Sequence, residues 1–576
     1  MTKLAKFLKP FTALVAATLV LVFLQSMAEL YLPTLMADIV NTGVMKNDVA
    51  YIWQVGRLML LVAAGDAVAA VLASFFSSRT AAGFGRNLRN RIFTQVEGFS
   101  LHEFDRIGTA TLITRTTNDV TQVQMVLMIM MRMMVMAPMM AIGGIIMAVR
   151  KDAALSWLLV VVVPILGAVI LFMASKGLPL FRIMQIKLDK LNLVLRERLT
   201  GIRVIRAFNR TDHEMARFTD ANRDLTDTAI KVNRIMAAMM PIMMLLMNLT
   251  SIAIIWFGAI RIDRGQMLIG NMMAFIQYAM QILFSMLMVS MMFIMVPRAA
   301  ASAGRINEVL EVVPALNDPP QGSAKGATGR RGLVEFRDVT FCYPGAEQPA
   351  LSHISFTAGP GEVTAIIGGT GSGKSTLVNL IPRFYDVQSG SVLVDGVDVR
   401  AMTQETLREK IGFVPQQAIL FTGTVADNIR YGKENASDDE VRSAAETAQA
   451  VDFIAAMPNG FDSYIAQGGV NFSGGQKQRL AIARALVRRP EVYVFDDSFS
   501  ALDFKTDARL RAALRKRTAD STVLIVAQRV GTIMDADRIL VLDDGHVVGM
   551  GTHQELMRSC NVYREIVSSQ IEEELA

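Results

Sequence analysis

Long apolar runs occupy the first half of the chain and are missing from the second half. Six of them lie at about residues 12–34, 53–76, 127–149, 153–174, 237–260 and 269–296. A helix needs ~20 apolar residues to cross a bilayer, and each run is about that long. From residue 332 onward, short apolar runs typical of strands alternate with segments of helical periodicity. The pattern therefore predicts six membrane-spanning helices followed by an α/β domain.

The predicted organisation has three parts: a six-helix membrane domain over 1–312, a linker over 313–331 and an α/β domain over 332–576. The linker is rich in proline, glycine and small residues and has no apolar periodicity. The two long polar segments, after spans two and four, are rich in arginine and lysine. By the positive-inside rule we expect these segments, both termini and the α/β domain to be cytoplasmic, in a multi-pass protein of the plasma (cell inner) membrane.

Composition supports a membrane protein and excludes several other classes. Hydrophobic residues make up 52% of the chain, and the mean hydropathy is +0.36. The net charge of +6 lies largely beside apolar runs, so it does not indicate nucleic-acid binding. The two cysteines, Cys342 and Cys560, form no CxxC pair, which argues against a disulfide framework or a cysteine-based metal site.

One glycine-rich segment carries the clearest chemistry. The run EVTAIIGGTGSGKSTLVNLI matches strand, turn and helix around a GxxxxGK[ST] phosphate-binding loop. The glycines let backbone N–H groups approach phosphate oxygens, the lysine supplies positive charge and the serine hydroxyl suits Mg²⁺. We therefore expect ATP and Mg²⁺ to bind here, through Gly368, Gly369, Thr370, Gly371, Ser372, Gly373, Lys374, Ser375 and Thr376.

A second segment, VYVFDDSFSALD, runs from a buried strand into two carboxylates, Asp496 and Asp497. A carboxylate at the end of such a strand is suited to polarising the Mg²⁺ shell of a nucleotide. The expected metal-site residues are therefore Ser375 and Asp496, joined by Gln416 on the resemblance described next.

The run NFSGGQKQRLAIARAL, residues 471–486, resembles the signature sequence of ATP-binding cassette (ABC) domains. Tyr343 in FCYP, Gln416 in GFVPQQAILF and Asp503 in SALD occur in the family's order and spacing. Six spans ahead of one cassette resemble a multidrug-type (type IV) ABC exporter half-transporter, and this resemblance covers nearly the whole chain. The implied fold class is a membrane all-α six-helix transmembrane domain fused to an α/β P-loop NTPase (ABC cassette) domain.

The resemblance also implies roles for individual residues. Tyr343 would stack on adenine, Gln416 would sense Mg²⁺ and link to the membrane domain, and Asp503 would lie at a dimer interface. The signature residues would cap the γ-phosphate of ATP held on a partner's phosphate loop; they are Ser473, Gly474, Gly475 and Gln476. A serine hydroxyl and backbone donors at a helix N-terminus suit an anion.

Two positions depart from the family pattern. Asp497 stands where the family has its catalytic glutamate, and Gln528, in LIVAQRVGTI, stands where it has a histidine. Aspartate is shorter by one carbon–carbon bond, ~1.5 Å, and a misplacement of ~1 Å can cost ~10²-fold in rate. Glutamine cannot become cationic near neutral pH. The run AQGG, 466–469, also replaces an acidic stretch common in homodimeric exporters.

These departures resemble the degenerate-site subunit of a heterodimeric ABC exporter. The catalytic candidates are then Asp497, Gln528 and Asp503, with weak hydrolysis at this chain's own site. Its intact signature would complete the active site of a second half-transporter. The alternative is a homodimer in which Asp497 acts as a slow base.

The expected function is ATP-driven export of amphipathic small molecules, lipids or peptides by a membrane-embedded ATP hydrolase. One rival uses the same fold to import a metal chelate. Another is an ATP-gated channel or regulatory subunit, for which a degenerate site would also make sense.

Charges and methionines inside the spans indicate where a substrate could pass. Glu29 and Asp66 lie within spans and Arg132 near the end of span three; such charges often mark a pathway, although pairing with each other or a partner is the alternative. Many of the 38 methionines cluster in spans three, five and six. They could line a polyspecific cavity, fill lipid-facing and packing positions, or, least favoured, hold a soft metal.

Segments 101–120 and 196–218 resemble the two intracellular loops of these exporters. Short helices are expected near 103–108 and 208–215, where they would dock onto cassettes and transmit motion to the spans.

Overall fold

A computed structural model of the chain describes residues 2–319 and 331–575 and separates into two compact units. The first consists of Met1–Glu97 and Ala110–Val312, and the second of Gly98–Thr109 and Val313–Ala576. Part of the predicted linker, residues 320–330, lies outside the described residues, while 313–319 contain no helix or strand.

Long helices build the first unit because apolar residues dominate its sequence. The helices in this part of the chain are α1 (Thr12–Asp38), α2 (Val49–Glu97), α3 (Leu101–Ile107), α4 (Thr109–Thr114), α5 (Val120–Pro138), α6 (Gly144–Lys151), α7 (Trp157–Thr200), α8 (Ile202–Ala207), α9 (Thr211–Asp263) and α10 (Ile269–Leu310). A 3₁₀ helix, Thr2–Phe11, precedes α1. Short π-helical segments continue several α-helices at Ile39–Val44, Arg115–Asp119 and Met139–Gly143.

Six of the resulting continuous helices are long and apolar enough to span a membrane. They are Lys3–Val44, Val49–Glu97, Thr109–Lys151, Trp157–Thr200, Thr211–Asp263 and Ile269–Leu310. The prediction of six spans is confirmed, with one boundary wrong. Span four begins at Trp157 rather than 153, because the Asp152 carboxylate accepts a hydrogen bond from Leu155 N (2.8 Å) and holds a turn there.

A glycine pair lets the helices of this unit approach closely. A Cβ at Gly143 would lie 2.4 Å from Leu30 of α1, and one at Gly144 would lie 2.8 Å from Ile282 of α10. Between these helices the Tyr278 hydroxyl donates to Leu30 O (3.0 Å), so its polar atom is satisfied within an apolar core.

The second predicted short helix is displaced. Instead of a helix near 208–215, the structure has α8 at Ile202–Ala207, a turn at 208–210 and the start of α9 at Thr211. Asn209 adopts a positive φ of 50°, which asparagine tolerates better than most residues and which interrupts the helix. Acidic residues in the first turn of α9 then favour a new helix start.

Helix α3, in contrast, forms where a short helix was expected and packs within the second unit. Glu103 is 3% exposed; its carboxylate accepts hydrogen bonds from Ser100 N (2.6 Å) and Ala315 N (3.2 Å). Burial raises the pKa of Glu103, but the hydrogen bonds outweigh burial and hold it below its ordinary value. Burial, followed by the nearby Asp105 carboxylate, raises the pKa of Tyr385 to about 12.

The rest of the second unit alternates strands and helices. Its strands are β1 (Val334–Phe341), β2 (Leu351–Ala358), β3 (Val363–Gly368), β4 (Ser389–Val394), β5 (Val397–Asp398), β6 (Ile411–Val414), β7 (Gly423–Thr424), β8 (Tyr464–Ile465), β9 (Val492–Asp496), β10 (Thr522–Val526), β11 (Arg538–Asp543) and β12 (His546–Gly551). Its helices are α11 (Lys374–Leu380), α12 (Gln404–Glu409), α13 (Val425–Arg430), α14 (Asp438–Thr447), α15 (Val451–Ala455), α16 (Gly474–Arg488), α17 (Phe504–Arg517), α18 (Val530–Ile533), α19 (His553–Ser559) and α20 (Asn561–Leu575).

A six-stranded sheet in the order β12-β11-β3-β10-β9-β6 organises this unit. All neighbouring pairs are parallel except β11 with β12, and an antiparallel sheet in the order β2-β1-β4-β5 packs beside it. Apolar clusters cover both faces of the larger sheet, which explains why β9 and β10 are buried at every position. The predicted fold class is therefore confirmed.

Within the first unit, a buried ion pair fixes α10 to the start of α5. The Arg305 guanidinium donates to both carboxylate oxygens of Asp119, which is 3% exposed. We predict that Arg305→Met lowers the free energy of unfolding by about 2 kcal/mol, because it leaves a buried carboxylate unpaired. Arg305 is itself half-exposed, which keeps the loss modest.

The apparent Tm of the purified full-length chain in detergent measures this effect. Glu308→Gln is the matched control, because it removes an ion pair with Arg115 whose acidic partner is 65% exposed. Glu308→Gln should lower the free energy of unfolding by less than about 1 kcal/mol. Equal Tm losses for the two variants would contradict the assigned importance of Asp119.

Candidate active site

The phosphate loop connects β3 to α11 and has the backbone geometry that its glycines permit. Gly371 and Gly373 adopt φ values of 86° and 96°. A Cβ at Gly373 would lie 2.8 Å from Ala350 O, so the close approach also requires glycine. Helix α11 begins directly after this glycine and points its N-terminal N–H groups toward the loop.

Lys374 lies folded over this loop. Its Nζ donates to Gly368 O (2.8 Å) and Gly369 O (2.6 Å). Burial lowers the pKa of Lys374, and the Asp497 and Asp496 carboxylates oppose that shift. A phosphate at the loop would give this ammonium a charged acceptor in place of two carbonyls, which makes stronger hydrogen bonds.

The Ser375 hydroxyl donates to Asp496 Oδ1 (3.0 Å), so the two predicted metal ligands are adjacent. Asp496 ends β9 and is 5% exposed. Hydroxyl and carboxylate oxygens beside a phosphate loop are the donors that Mg²⁺ prefers, and this pair therefore fits that ion. When bound, Mg²⁺ would neutralise phosphate charge and polarise a phosphoryl oxygen.

Asp497 is held between two glutamines. Its Oδ2 accepts hydrogen bonds from Gln416 Nε2 and from Gln528 Nε2, each at 3.2 Å. Asp497 is 7% exposed and has a φ of 46°, a left-handed conformation unusual for a residue at a strand end. The three residues that the sequence assigned to metal sensing, catalysis and switching are thus brought together.

Burial is the main electrostatic influence on both carboxylates. It raises the pKa of Asp496, against the hydrogen bond from Ser375, and the charge of Asp497 adds to the increase. Burial likewise raises the pKa of Asp497, opposed by Gln416, Lys374 and Arg529. Ionising both groups therefore costs free energy in the absence of a bound cation.

Tyr343 lies beside the phosphate loop, where its hydroxyl forms a hydrogen bond with Thr376 Oγ1 (3.0 Å). Its ring makes edge contacts with Phe341 and Tyr385, at centroid distances of 4.9 and 5.4 Å. These contacts fix the ring of Tyr343 beside the start of α11, and its stacking on adenine stays a prediction.

The signature residues form the N-terminus of α16. Ser473 caps it: its hydroxyl accepts from Gln476 N (3.3 Å), and Gln476 Oε1 accepts from Ser473 N (2.9 Å). A Cβ at Gly475 would lie 3.0 Å from Ala501 O, so this turn packs on the loop before α17.

Asp503 caps α17 by accepting a hydrogen bond from Thr506 N (2.9 Å). That backbone hydrogen bond is the main reason why the pKa of Asp503 lies below its ordinary value. Among the described residues, no hydrogen bond joins Asp503 to the Asp497 cluster. Its predicted place at a dimer interface stays a prediction.

Both halves of the chain match models of known protein families. Residues 15–286 match the family model "ABC transporter transmembrane region", and residues 351–500 match "ABC transporter". An uncharacterized ABC transporter ATP-binding protein of Mycobacterium tuberculosis is 47% identical over 98% of this chain and 97% of its own length. The chain belongs to the ABC transporter family.

Two further similarities describe the kind of ABC transporter. A protein of Syntrophus aciditrophicus named ATP-dependent lipid A-core flippase is 32% identical over 88% of this chain and 83% of its own. A solved bacterial Atm1-family ABC exporter, with ATP bound, superposes with a TM-score of 0.79 at 26% identity, over 97% of this chain and 98% of that one. This ABC transporter is therefore an ATP-driven exporter in fold and family, and ATP hydrolysis coupled to transport is expected of it.

One residue of the transporter's site was missed by sequence reasoning. Gln570, in α20, accepts a hydrogen bond from Val530 N (2.8 Å) through Oε1 and donates to Gln528 O (2.6 Å) through Nε2. It thereby clamps the segment that carries Gln528. No motif surrounds Gln570, so its role follows only from the packing of α20.

Two charged residues of the membrane spans border cavities within the first unit. Glu29 borders a methionine-lined cavity, and Asp66 borders a different one. Arg132 lies within electrostatic range of Glu29. The predicted pathway residues are thus divided between two surfaces. Within the described residues, no group of three or more histidine, cysteine or carboxylate side chains could hold a metal ion.

The raised pKa of Asp497 predicts a pH-dependent stability effect. Stability from the neutral carboxyl is present below its unfolded pKa and is lost as the pH rises through the folded pKa. Without nucleotide and Mg²⁺, Asp497→Asn should therefore raise the Tm at pH 7 by about 2 °C and by less near pH 4. Asp520→Asn, at an exposed turn, is the control and should leave the Tm unchanged at both pH values. A Tm gain independent of pH would contradict burial as the cause.

Loss of the Gln570 clamp should loosen the Gln528 segment. Gln570→Leu leaves the buried Val530 N–H without a partner, at a cost of about 1–3 kcal/mol. Gln570→Glu keeps an acceptor for Val530 but loses the donor to Gln528 O, so its Tm should fall less. Ser569→Ala, at the adjacent exposed position, should have no effect. Equal Tm values for Gln570→Leu and Ser569→Ala would show that the clamp contributes nothing.

Proposed function

We propose that this chain is one half of a heterodimeric ABC exporter and carries the degenerate nucleotide site. It would bind ATP and Mg²⁺ at its own phosphate loop, hydrolyse that ATP slowly, and complete the fast site of its partner. The assembly would lie in the plasma membrane, with both termini and the cassettes in the cytoplasm, and would export amphipathic small molecules, lipids or peptides.

The observation that carries this proposal is the environment of Asp497. A general base needs a free oxygen within hydrogen-bond reach of the attacking water. Here the side chain is shorter than glutamate and its Oδ2 already accepts two amide N–H groups, from Gln416 and Gln528, so only Oδ1 is left to reach the water. Neither amide can carry a proton away or supply positive charge to a developing anion. The cluster thus favours holding a nucleotide over cleaving it quickly.

The signature turn supports the second half of the proposal. Its residues keep the serine hydroxyl, the two glycines and the helix N-terminus that suit a γ-phosphate. Nearby Val470 is 80% exposed, so this surface of the chain is open to a partner. A subunit with an altered catalytic position and an unaltered signature is what a division of labour between two cassettes requires.

Other exposed residues support a two-subunit assembly. Val204 and Phe208, around the end of α8, are 61% and 74% exposed in this chain. Apolar side chains at a predicted intracellular coupling loop would be covered by a partner's cassette. The naming of relatives as lipid A-core flippases favours an amphipathic substrate for this chain as well.

In the proposed cycle, Lys374 and the phosphate-loop N–H groups orient the β- and γ-phosphates, and Ser375 with Asp496 holds Mg²⁺. ATP binding closes the two cassettes around both nucleotides. Hydrolysis at the partner-supplied site, capped by Ser473 of this chain, reopens them. ATP at the Asp497 site would then persist over several turnovers.

Asp497→Glu tests this assignment. In the complex with the partner subunit, it should raise hydrolysis at the Asp497 site about tenfold or more if reach alone limits the base. Total turnover of the complex, which already has one fast site, should rise by up to about twofold, while the chain purified alone stays nearly inactive. Asp497→Asn is the matched control, because it keeps the size of aspartate and an acceptor for both glutamines. It should change turnover of the complex little.

The homodimer alternative predicts the opposite pattern. Robust hydrolysis by the chain alone, stimulated by substrate and abolished by Asp497→Ala, would reject the heterodimer. Size-exclusion chromatography of the complex from native membranes would then also show a single subunit type.

A further inference from the structure

A cavity of about 460 Å³ opens among α1, α5, α9 and α10 in the membrane unit. We call it the Glu29 cavity, because Glu29 is the only acidic residue among the described residues that line it. Its apolar lining includes Met136, Met140, Met247, Met280, Met288 and Phe284. The volume lies within the range of about 300–1,000 Å³ typical of small-molecule sites.

Glu29 and Gln281 supply acceptors to the Glu29 cavity, whose other polar lining residues are Gln277 and Ser285. Glu29 Oε1 accepts from Gln25 Nε2 (3.2 Å), and within the described residues its Oε2 has no hydrogen-bond partner. Gln281 Nε2 donates to the backbone oxygen of Glu29 (3.1 Å), which leaves Gln281 Oε1 buried and without a partner. Gln281 Oε1 is a buried acceptor without a donor, which costs free energy, whereas Glu29 Oε2 is a charged acceptor that is not fully buried. A ligand that donates N–H bonds would suit both atoms.

No described ion pair satisfies the Glu29 carboxylate. Asp66 and Arg132 act on it electrostatically with opposite signs, but neither forms a salt bridge with it among residues 2–319 and 331–575. A carboxylate in an apolar membrane cavity is costly unless a cation joins it. The methionines and Phe284 add polarizable and aromatic surface, which suits an apolar body that carries a positive charge.

We propose that the Glu29 cavity binds the protonated amine of an amphipathic substrate, with Glu29 and Gln281 Oε1 accepting its N–H bonds. This inference rests on the proposed export function and names its substrate class. The amine could belong to a soluble amphipath or to a lipid headgroup. The site distinguishes N–H donors from quaternary ammonium groups, which carry the charge but donate no hydrogen bond.

Fluorescence binding to the full-length chain in phosphatidylcholine nanodiscs tests the site. Dansylcadaverine supplies an amphipathic primary amine, and its N-acetylated form supplies the same body without charge. Glu29→Gln should weaken binding of the amine about 10- to 100-fold, because a hydrogen bond to a charged group is lost. It should leave the acetylated form unchanged, which also shows that the variant is folded.

Two controls sharpen the result. Asp66→Asn removes another intramembrane carboxylate outside the Glu29 cavity, one that acts on Glu29 only through space, and should weaken amine binding far less than Glu29→Gln does. The trimethylated probe should bind more weakly than the primary amine. Equal affinity of the amine for wild type and Glu29→Gln, or equal weakening of the amine and acetylated probes, would overturn the proposal.

Added phosphatidylethanolamine distinguishes the source of the amine. Competition with the probe that disappears in Glu29→Gln supports a lipid headgroup as ligand, and lack of competition supports a soluble amphipath.

ATP-driven uptake into inside-out vesicles separates this inference from the export function. If the amine binds in a Glu29-dependent way but no ATP-driven flux is measured, the export proposal is rejected and the binding-site proposal stands. If Glu29→Gln does not change the ATP-driven flux of the amine, the binding-site proposal is rejected and the export proposal stands.

Discussion

The nucleotide site depends on four parallel strands that end at the same edge of one sheet. β3, β10, β9 and β6 are neighbours, and the phosphate loop, Gln528, Asp497 and Gln416 follow their ends. The pairing of Asp496 with Val526 fixes which of the two adjacent carboxylates faces Ser375. A slip of one residue would exchange their directions, so strand register assigns the chemistry of each aspartate.

Once register has separated them, environment makes the two carboxylates different. The Asp496 carboxylate accepts a hydrogen bond from the Ser375 hydroxyl, whereas the Asp497 carboxylate accepts hydrogen bonds from two side-chain amides. Both are buried, and one lysine, Lys374, opposes the cost of their charges. The buried charges of the site are therefore not fully compensated by one another. A bound cation would compensate the carboxylates and a phosphate would compensate Lys374, so nucleotide binding should stabilise the loops at this edge of the sheet.

Sequence reasoning reached the parts of the protein whose signals are local. The phosphate loop, the aspartate pair and six apolar spans are each contained in a short run, and the structure has the loop, strand end and helices there. Positions that depend on distant packing were missed. Gln570 acts through the fold of α20, and the second short helix is displaced because the conformation of Asn209, rather than composition, ends α8. The split of Glu29 and Asp66 between two cavities likewise depends on helix rotation, which hydropathy does not specify.

The packing of α3 has a consequence for how the chain is made. The second unit is assembled from two separate stretches, Gly98–Thr109 and the residues from Val313 onward. The Glu103 carboxylate leaves the ribosome long before Ala315, its backbone partner, is synthesised. During that interval the Glu103 carboxylate has no Ala315 N–H from which to accept a hydrogen bond. Because α5 to α10 lie between the two stretches in the sequence, the second unit can close around α3 only after all of these helices have been synthesised.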